Sequence, residues 1–300
     1  MARNPAPDWL LASDGSRDAD SAARFVARAA PSLGVGRIQV ANVQPAAGTG
    51  QRAMRAPEAE RRRLAAARRE TSEARRILDG ARLPWRLHAI PGGDPAAAIA
   101  AAALRLRTSE IVLGSRGLSA LGHLGLGSVA YKVVHLARQP VTLVPAATGS
   151  RGGADPAVMV LAVDGSRPSL RAAAYLCRLQ ARLRRGGRSL QVHLLNVQPR
   201  IVSGRVSRFV SRAQIDAWVR TNGEAATRGP RRLLERAGVP CRLHILQGAY
   251  PETIVRLARE TGSGRIVMGT RGLGAVRGLV LGSVTFAVAH RSPLPLTLVR

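Results

Sequence analysis

Gly114-Ser115-Arg116-Gly117, followed after nine intervening residues by Gly127-Ser128, returns later in the chain as Gly269-Thr270-Arg271-Gly272 and Gly282-Ser283 with the same spacing. Each copy follows a short apolar run, Ile111-Val112-Leu113 or Ile266-Val267-Met268, and precedes a stretch that reads as helix. Strand, glycine loop and helix N-terminus together can hold phosphate. Bare backbone approaches the ligand, and first-turn N–H groups and the helix dipole aim at the anion.

The rest of the chain is duplicated around these loops. Asp14-Gly15-Ser16-Arg17 returns as Asp164-Gly165-Ser166-Arg167 at an offset of 150, and Asn42-Val43-Gln44-Pro45 as Asn196-Val197-Gln198-Pro199 at 154. Arg86-Leu87-His88 returns as Arg242-Leu243-His244 at 156, and the closing Thr142-Leu143-Val144 as Thr297-Leu298-Val299 at 155. Asp, Asn, Gln and His matching in one order, with offsets drifting by only six, mark a tandem duplication. The period is that of a domain, not of a solenoid. Residues 1–146 and 157–300 then form two domains, joined by a Gly- and Pro-rich linker over 147–156 that lacks apolar periodicity.

Within each half, apolar strand-like runs alternate with helical stretches. In the second half the strands fall at Val158–Val163, Leu190–Val197, Cys241–Leu246, Arg265–Gly269 and Leu296–Val299. Between the second and third, a helix over Arg208–Ala237 is expected to break near Gly229-Pro230. Continuous apolar strands separated by helices indicate a parallel sheet covered on both faces. Each half is thus expected to be a doubly wound, five-stranded α/β domain whose ligand sits at the carboxyl ends of the strands. Asp14, Val43 and Gly114 all fall at strand ends, as do Asp164, Val197 and Gly269.

Formal net charge is +28, and of 46 basic residues all but Lys132 are arginine. Such a charge attracts polyanions, so nonspecific nucleic-acid binding is expected at low salt. Aromatics are only 3% of residues, and no basic run interleaves them as base-stacking platforms would require. Part of the cluster Arg61-Arg62-Arg63 is offset by Glu58 and Glu60 on the same expected helix. Cys177 and Cys241 lack metal-ligand spacing and suggest a reducing compartment. The polar N-terminus has no signal-peptide core, and no uncharged apolar run approaches membrane length; a cytoplasmic protein is expected.

At the loops, Gly117 lets the chain turn near the ligand, while Gly127 and Ser128 offer two N–H groups and a hydroxyl to phosphate, or Ser128 simply caps the helix. Asp14 and Asp164 fit a helix cap and also a hydrogen bond to ribose or indirect help with a phosphate-bound Mg2+. Val43 and Val197 suit core packing or backbone contact with a purine edge. Arg116 and Arg271 fit either a solvated surface or a terminal phosphate. His88 and His244 read as sheet-packing residues. The Walker pattern is absent, no Ser/His/Asp or Cys/His constellation can be assembled, and no general base sits beside the glycine loop.

The strand-end Asp-Gly-Ser, the Val-x-Pro exit from the second strand and the complete Gly-x2-Gly-x9-Gly-Ser loop resemble the universal stress protein family in its tandem two-domain, ATP-binding form. The resemblance implies a Rossmann-like, adenine nucleotide alpha hydrolase-like fold in a bacterial stress-response or regulatory protein. It further implies ATP, with Mg2+ carried on the phosphates, in each domain, and at most slow hydrolysis. It places ribose or cation contacts at Asp14 and Asp164, with Ser13 and Val163 beside them, and adenine contacts near Val43 and Val197. Phosphate contacts fall to Gly114, Arg116, Gly117, Gly127, Ser128 and Val129, and to Gly269, Arg271, Gly272, Gly282, Ser283 and Val284. Family domains pair through their last strands, which implies an intramolecular pseudo-dimer through Val141–Val144 and Leu296–Val299, or a homodimer. Two departures stand out. Glu110 stands in for an acidic residue before the fourth strand where the second half has Arg265, and Gly223, Gly229 and Pro230 interrupt a long helix, making the second half the less certain binder. A basic, nucleic-acid-associated protein using the fold as scaffold is the alternative.

Overall fold

The computed structural model describes residues 7–45, 56–117, 126–146, 154–200, 211–273 and 281–300. The interiors of both glycine loops (118–125 and 274–280) and most of the stretch read as linker (147–153) lie outside them. The chain divides into two compact units at Gly152/Gly153.

The first unit runs β1 (Trp9–Ala12), α1 (Arg17–Ser32), β2 (Ile38–Gln44), α2 (Ala56–Glu70), α3 (Ser72–Gly80), β3 (Trp85–Pro91), α4 (Pro95–Arg105), β4 (Glu110–Gly114), α5 (Ser128–Leu136) and β5 (Val141–Val144). The second repeats it as β6 (Asp155–Ala162), α6 (Arg167–Arg184), β7 (Gln191–Gln198), α7 (Arg212–Arg236), β8 (Cys241–Gln247), α8 (Tyr250–Glu260), β9 (Ser263–Gly269), α9 (Ser283–Arg291) and β10 (Leu296–Val299). Strand order is β3-β2-β1-β4-β5 in the first unit and β8-β7-β6-β9-β10 in the second, parallel within each. The chain winds outward from β1 or β6, then returns to its other side, so the strand order reverses there. Helices α1 and α3 pack together, as do α4 and α5; α6 with α7 and α8 with α9 repeat the arrangement. Central strands β1, β4 and β9 are buried along their whole length, as a sheet covered on both faces requires. Trp9 stacks on Phe25 of α1 at 6.3 Å between ring centroids.

Two sequence expectations are corrected. Strand β6 starts at Asp155, two residues inside the stretch read as linker, because Gly264 leaves room for it. A Cβ on Gly264 would lie 2.5 Å from the Asp155 carbonyl oxygen, so only bare backbone lets β9 lie against that segment. The expected break at Gly229-Pro230 does not occur: α7 is continuous, with Pro230 buried inside it. Its glycines are packing positions. A Cβ on Gly223 would come within 2.5 Å of the Ile245 side chain on β8, and one on Gly229 within 2.8 Å of Leu170 on α6. Close approach to sheet and neighbouring helix holds the helix together despite the proline. The break falls instead in the first unit, at Thr71 between α2 and α3, where no proline occurs. Thr71 Oγ1 donates to the Ala67 carbonyl at 2.7 Å, a side-chain bond that competes with the helical ladder. Thr227 makes the same bond to Gly223 at 2.8 Å without ending α7.

Candidate functional site

The strand ends converge in each unit around the repeated Asp-Gly-Ser. Asp164 Oδ1 accepts from the Ser166 amide at 3.1 Å and from the Ser169 hydroxyl at 2.7 Å; Oδ2 accepts from the Leu273 amide at 2.8 Å. Burial alone would push its pKa up, but these bonds outweigh it and hold the carboxyl below the ordinary aspartate value of 3.8. Asp164 thus ties the start of α6 to the glycine loop beyond β9. In the first unit the Ser16 amide donates to Asp14 Oδ1 at 3.0 Å. Neither aspartate is the helix cap; the serine two residues later is. Ser16 Oγ accepts from the Ala19 amide at 3.2 Å and Ser166 Oγ from the Ser169 amide at 3.3 Å. Between them, Gly15 and Gly165 adopt φ of +78° and +84°, where an L side chain is strained.

The loop glycines divide into two kinds. Gly117 and Gly272 sit against the aspartates: a Cβ on Gly117 would lie 2.7 Å from Asp14 Oδ2, and one on Gly272 would overlap Asp164 Oδ2. Gly114 and Gly269 instead admit the first turn of a helix. A Cβ there would lie 2.6 Å from Asp18 Cβ in one unit and 2.5 Å from Pro168 Cβ in the other. Close helix packing requires their bareness.

Gly127 and Gly282 are the N-caps of α5 and α9, so Ser128 and Ser283 are first helical residues and not caps. The Gly127 amide donates to the Ser115 carbonyl at 2.8 Å and the Gly282 amide to Thr270 at 2.9 Å. Those two N–H groups, expected to face phosphate, are therefore taken. The amides of Ser128 and Val129, and of Ser283 and Val284, lie in the first turn, which has no intrahelical acceptor to offer them. The serine hydroxyls stand beside them on exposed residues.

Register explains how the strand-2 valines present their backbone. The Ser13 amide donates to the Ala41 carbonyl at 2.9 Å, so Ala41 faces the β1 side. Peptide groups alternate along a strand, so Val43 N–H and C=O face that side too, beyond the point where β1 has ended. The Val163-to-Leu195 bond, also 2.9 Å, fixes Val197 in the same way. Asn42 Nδ2 donates to the Ser13 carbonyl at 2.9 Å and Asn196 Nδ2 to Val163 at 2.8 Å, tethering the two strand ends. Gln44 and Gln198 donate to the Asn Oδ1 atoms at 2.6 and 2.7 Å. The repeated Asn-Val-Gln is thus a support for the crevice floor.

In the second unit these pieces enclose a cavity of about 770 Å³. It is lined by all nine residues expected there from the sequence: Val163, Asp164, Val197, Gly269, Arg271, Gly272, Gly282, Ser283 and Val284. The walls come from residues that no repeated motif marks. Trp218 and Asn222 come from α7, Tyr250 and Ile254 from α8, and Ser169 from α6. Trp218 keeps 46% of its surface exposed; a tryptophan on a helix in a chain with only 3% aromatics was the available signal. In the first unit Arg116 is drawn to Asp18, its amide donating to Oδ2 at 3.1 Å and its Nε standing 3.4 Å from the same oxygen.

Other sequence candidates lie elsewhere. Glu110 begins β4, at the end remote from the crevice, and Oε1 accepts from Thr142 at 2.5 Å. Arg265, at the corresponding place in β9, donates to Thr297 at 3.2 Å and Tyr175 at 2.9 Å. The Glu-to-Arg departure therefore does not reach the site. His88 stands 2.6 Å from Gln39, and His244 stands 3.0 Å from His193, the counterpart of Gln39. Among the described residues no group of three or more His, Cys, Asp or Glu is placed to hold a metal. No helix among them is long and apolar enough to cross a membrane.

Burial, and then Arg242, push His193 below the ordinary histidine value of 6.5; burial, His193 and Arg242 do the same to His244. The folded state then binds fewer protons than the unfolded chain once pH falls below 6.5, so acidification destabilises the second unit. Thermal unfolding of His193→Gln, which restores the first unit's Gln–His pair, is expected to show a smaller loss of midpoint than wild type between about pH 7.5 and about pH 5.5. An unchanged loss would show that the pair does not carry this dependence.

A tandem pair of doubly wound domains, with glycine-loop crevices at the switch points of their sheets, defines the class. The family model for the universal stress protein family matches residues 9–145 and again 158–300. The chain belongs to the universal stress protein family. A universal stress protein of Thermus aquaticus, encoded beside a QAH/OAS sulfhydrylase gene, is 37% identical over 143 residues, covering 47% of this chain and 97% of the relative. That relative is the length of one unit, as a duplication of this domain predicts. The crystal structure of a universal stress protein from Archaeoglobus fulgidus superposes with a TM-score of 0.65 at 20% identity, covering 99% of this chain and 97% of that one. A putative universal stress protein from Pseudomonas aeruginosa gives 0.56 at 15%, covering 98% and 93%. These likenesses establish the fold.

Proposed function

We propose that the protein is a cytoplasmic stress-response regulator that binds ATP, with Mg2+ carried on the phosphates, at the strand-end crevices of its two units. The observation that carries the reading is the convergence of all nine expected second-unit residues on one cavity of about 770 Å³, within the size range of small-molecule sites. Val197 backbone groups suit the adenine edge, Asp164 and its surroundings the ribose, and the first turn of α9 with Ser283 the phosphates. Arg271 lines the same cavity and supplies positive charge toward them.

Holding ATP fits the site better than rapid hydrolysis. Asp164 is the one carboxylate among the described lining residues; it already accepts three hydrogen bonds, and its lowered pKa makes it a poor proton acceptor. Purified protein, denatured and assayed for released nucleotide and then dialysed to equilibrium against MgATP, is the test. ADP or ATP recovered from the chain, or saturable uptake of ATP, is expected. No nucleotide even after prolonged exposure to ATP would overturn the reading.

A further inference from the structure

The two crevices differ at one position that bears on what each can bind. The bare Gly15 and Gly165 each face the helix that follows strand 2. A Cβ on Gly165 would meet Ala226 Cα at 3.2 Å, and one on Gly15 would meet the Glu70 carbonyl oxygen at 2.7 Å. Glu70 is therefore the structural counterpart of Ala226, each directly preceding the equivalent threonine, Thr71 or Thr227. Ala226 lines the second unit's cavity and adds neither charge nor reach. Glu70 sends its carboxylate to the crevice floor, where Oε2 accepts from Asn42 Nδ2 at 2.9 Å.

That bond changes what the floor can offer. In both units the amide oxygen of the asparagine is occupied by the glutamine two residues on, which fixes the direction of its Nδ2. One Nδ2 hydrogen tethers the strand-1 carbonyl. In the second unit no described residue takes the other hydrogen of Asn196, and Asn196 lines the cavity. In the first unit Glu70 takes it.

We infer that Glu70 is an internal competitor for the first crevice, so that the two sites are graded: the second unit takes adenine nucleotide first, and the first binds it only as Glu70 is displaced. This rests on the nucleotide reading above. An anionic ligand entering the first crevice must break the Asn42–Glu70 bond and then share the space with an uncompensated carboxylate. The second crevice has Ala226 at this position, so neither penalty arises there from an acid on α7. The inference makes Glu70 a specificity-determining residue and reverses the sequence expectation that the second half is the less certain binder.

The test is calorimetric titration of the full chain with MgATP, followed in parallel by tryptophan emission. Trp218 lines the second cavity, whereas Trp9 is buried and Trp85 begins β3 at the end remote from the crevice. Wild type is expected to show a tight phase that changes Trp218 emission and a second phase weaker by about tenfold or more, equivalent to ~1.4 kcal/mol. Trp218→Phe removes the emission signal. Glu70→Ala, at an exposed residue, is expected to tighten the weak phase toward the strong one, and Ala226→Glu to weaken the phase that Trp218 reports. Two equal sites in wild type, a tight phase silent at Trp218, or a weak phase unmoved by Glu70→Ala would each overturn the inference while leaving nucleotide binding intact. No heat and no emission change at any ATP concentration would overturn the nucleotide reading itself, and the inference with it.

Discussion

Gly269→Val is expected to lower the stability of the second unit by about 3 kcal/mol or more, the upper range for overpacking a closed interior. Gly269 ends β9, a strand buried along its length between β6 and β10. Even a Cβ would stand 2.5 Å from Pro168 Cβ, 2.9 Å from the Pro168 carbonyl carbon and 3.2 Å from the Ser169 amide nitrogen. Two of those atoms are backbone at the first turn of α6, so no side-chain rotation relieves the overlap. Either α6 lifts from the sheet or β9 shifts, and each displaces the Asp164–Leu273 bond. Urea unfolding followed through Trp218 emission is the measurement. Gly282→Ala supplies the contrast, because its Cβ would meet Arg271 Cα only at 3.5 Å, an ordinary contact. A midpoint for Gly269→Val equal to that of wild type would contradict the packing described here.

Asp164→Ala is expected to cost about 2–3 kcal/mol, since hydrogen bonds to a charged acceptor contribute most and the loss leaves the part-buried Ser166 and Ser169 donors without it. It releases the amides of Ser166 and Leu273 and the hydroxyl of Ser169 together. The effect depends on pH in a definite direction. The folded-state pKa of Asp164 is lowered, so its contribution is fully present above the ordinary value of 3.8 and is lost as pH falls through the lowered folded value. Wild type and Asp164→Ala should therefore differ at neutral pH and converge in strong acid. Affinity for MgATP is expected to fall by about tenfold or more, because Leu273 is the bond by which Asp164 positions the glycine loop. Unchanged stability at neutral pH would show that these bonds contribute nothing net.

Much of this architecture is legible in the sequence because duplication writes it twice. The recurring Asp-Gly-Ser, Asn-Val-Gln and glycine loops locate three strand ends, and a parallel sheet brings strand ends together. The chemistry of individual positions is less legible. Gly114 and Gly117 look alike in a motif, yet one faces a helix turn and the other an aspartate. Asp14 and Ser16 are both plausible caps by type, and only the geometry assigns the role to serine. Pro230 signals a helix break that close packing through Gly223 and Gly229 overrides. Trp218, Tyr250 and Glu70 reach the crevices from helices distant in sequence, and helical periodicity does not say which side chain meets a particular strand end.

Hydrogen exchange of the full chain with and without MgATP reports both whether nucleotide binds and where. Slowed exchange is expected at residues 163–166, 195–198, 269–273 and 281–285, the strand ends and first helical turn that bound the second crevice. Protection confined to other segments, or none under saturating ATP, would contradict nucleotide binding at that crevice.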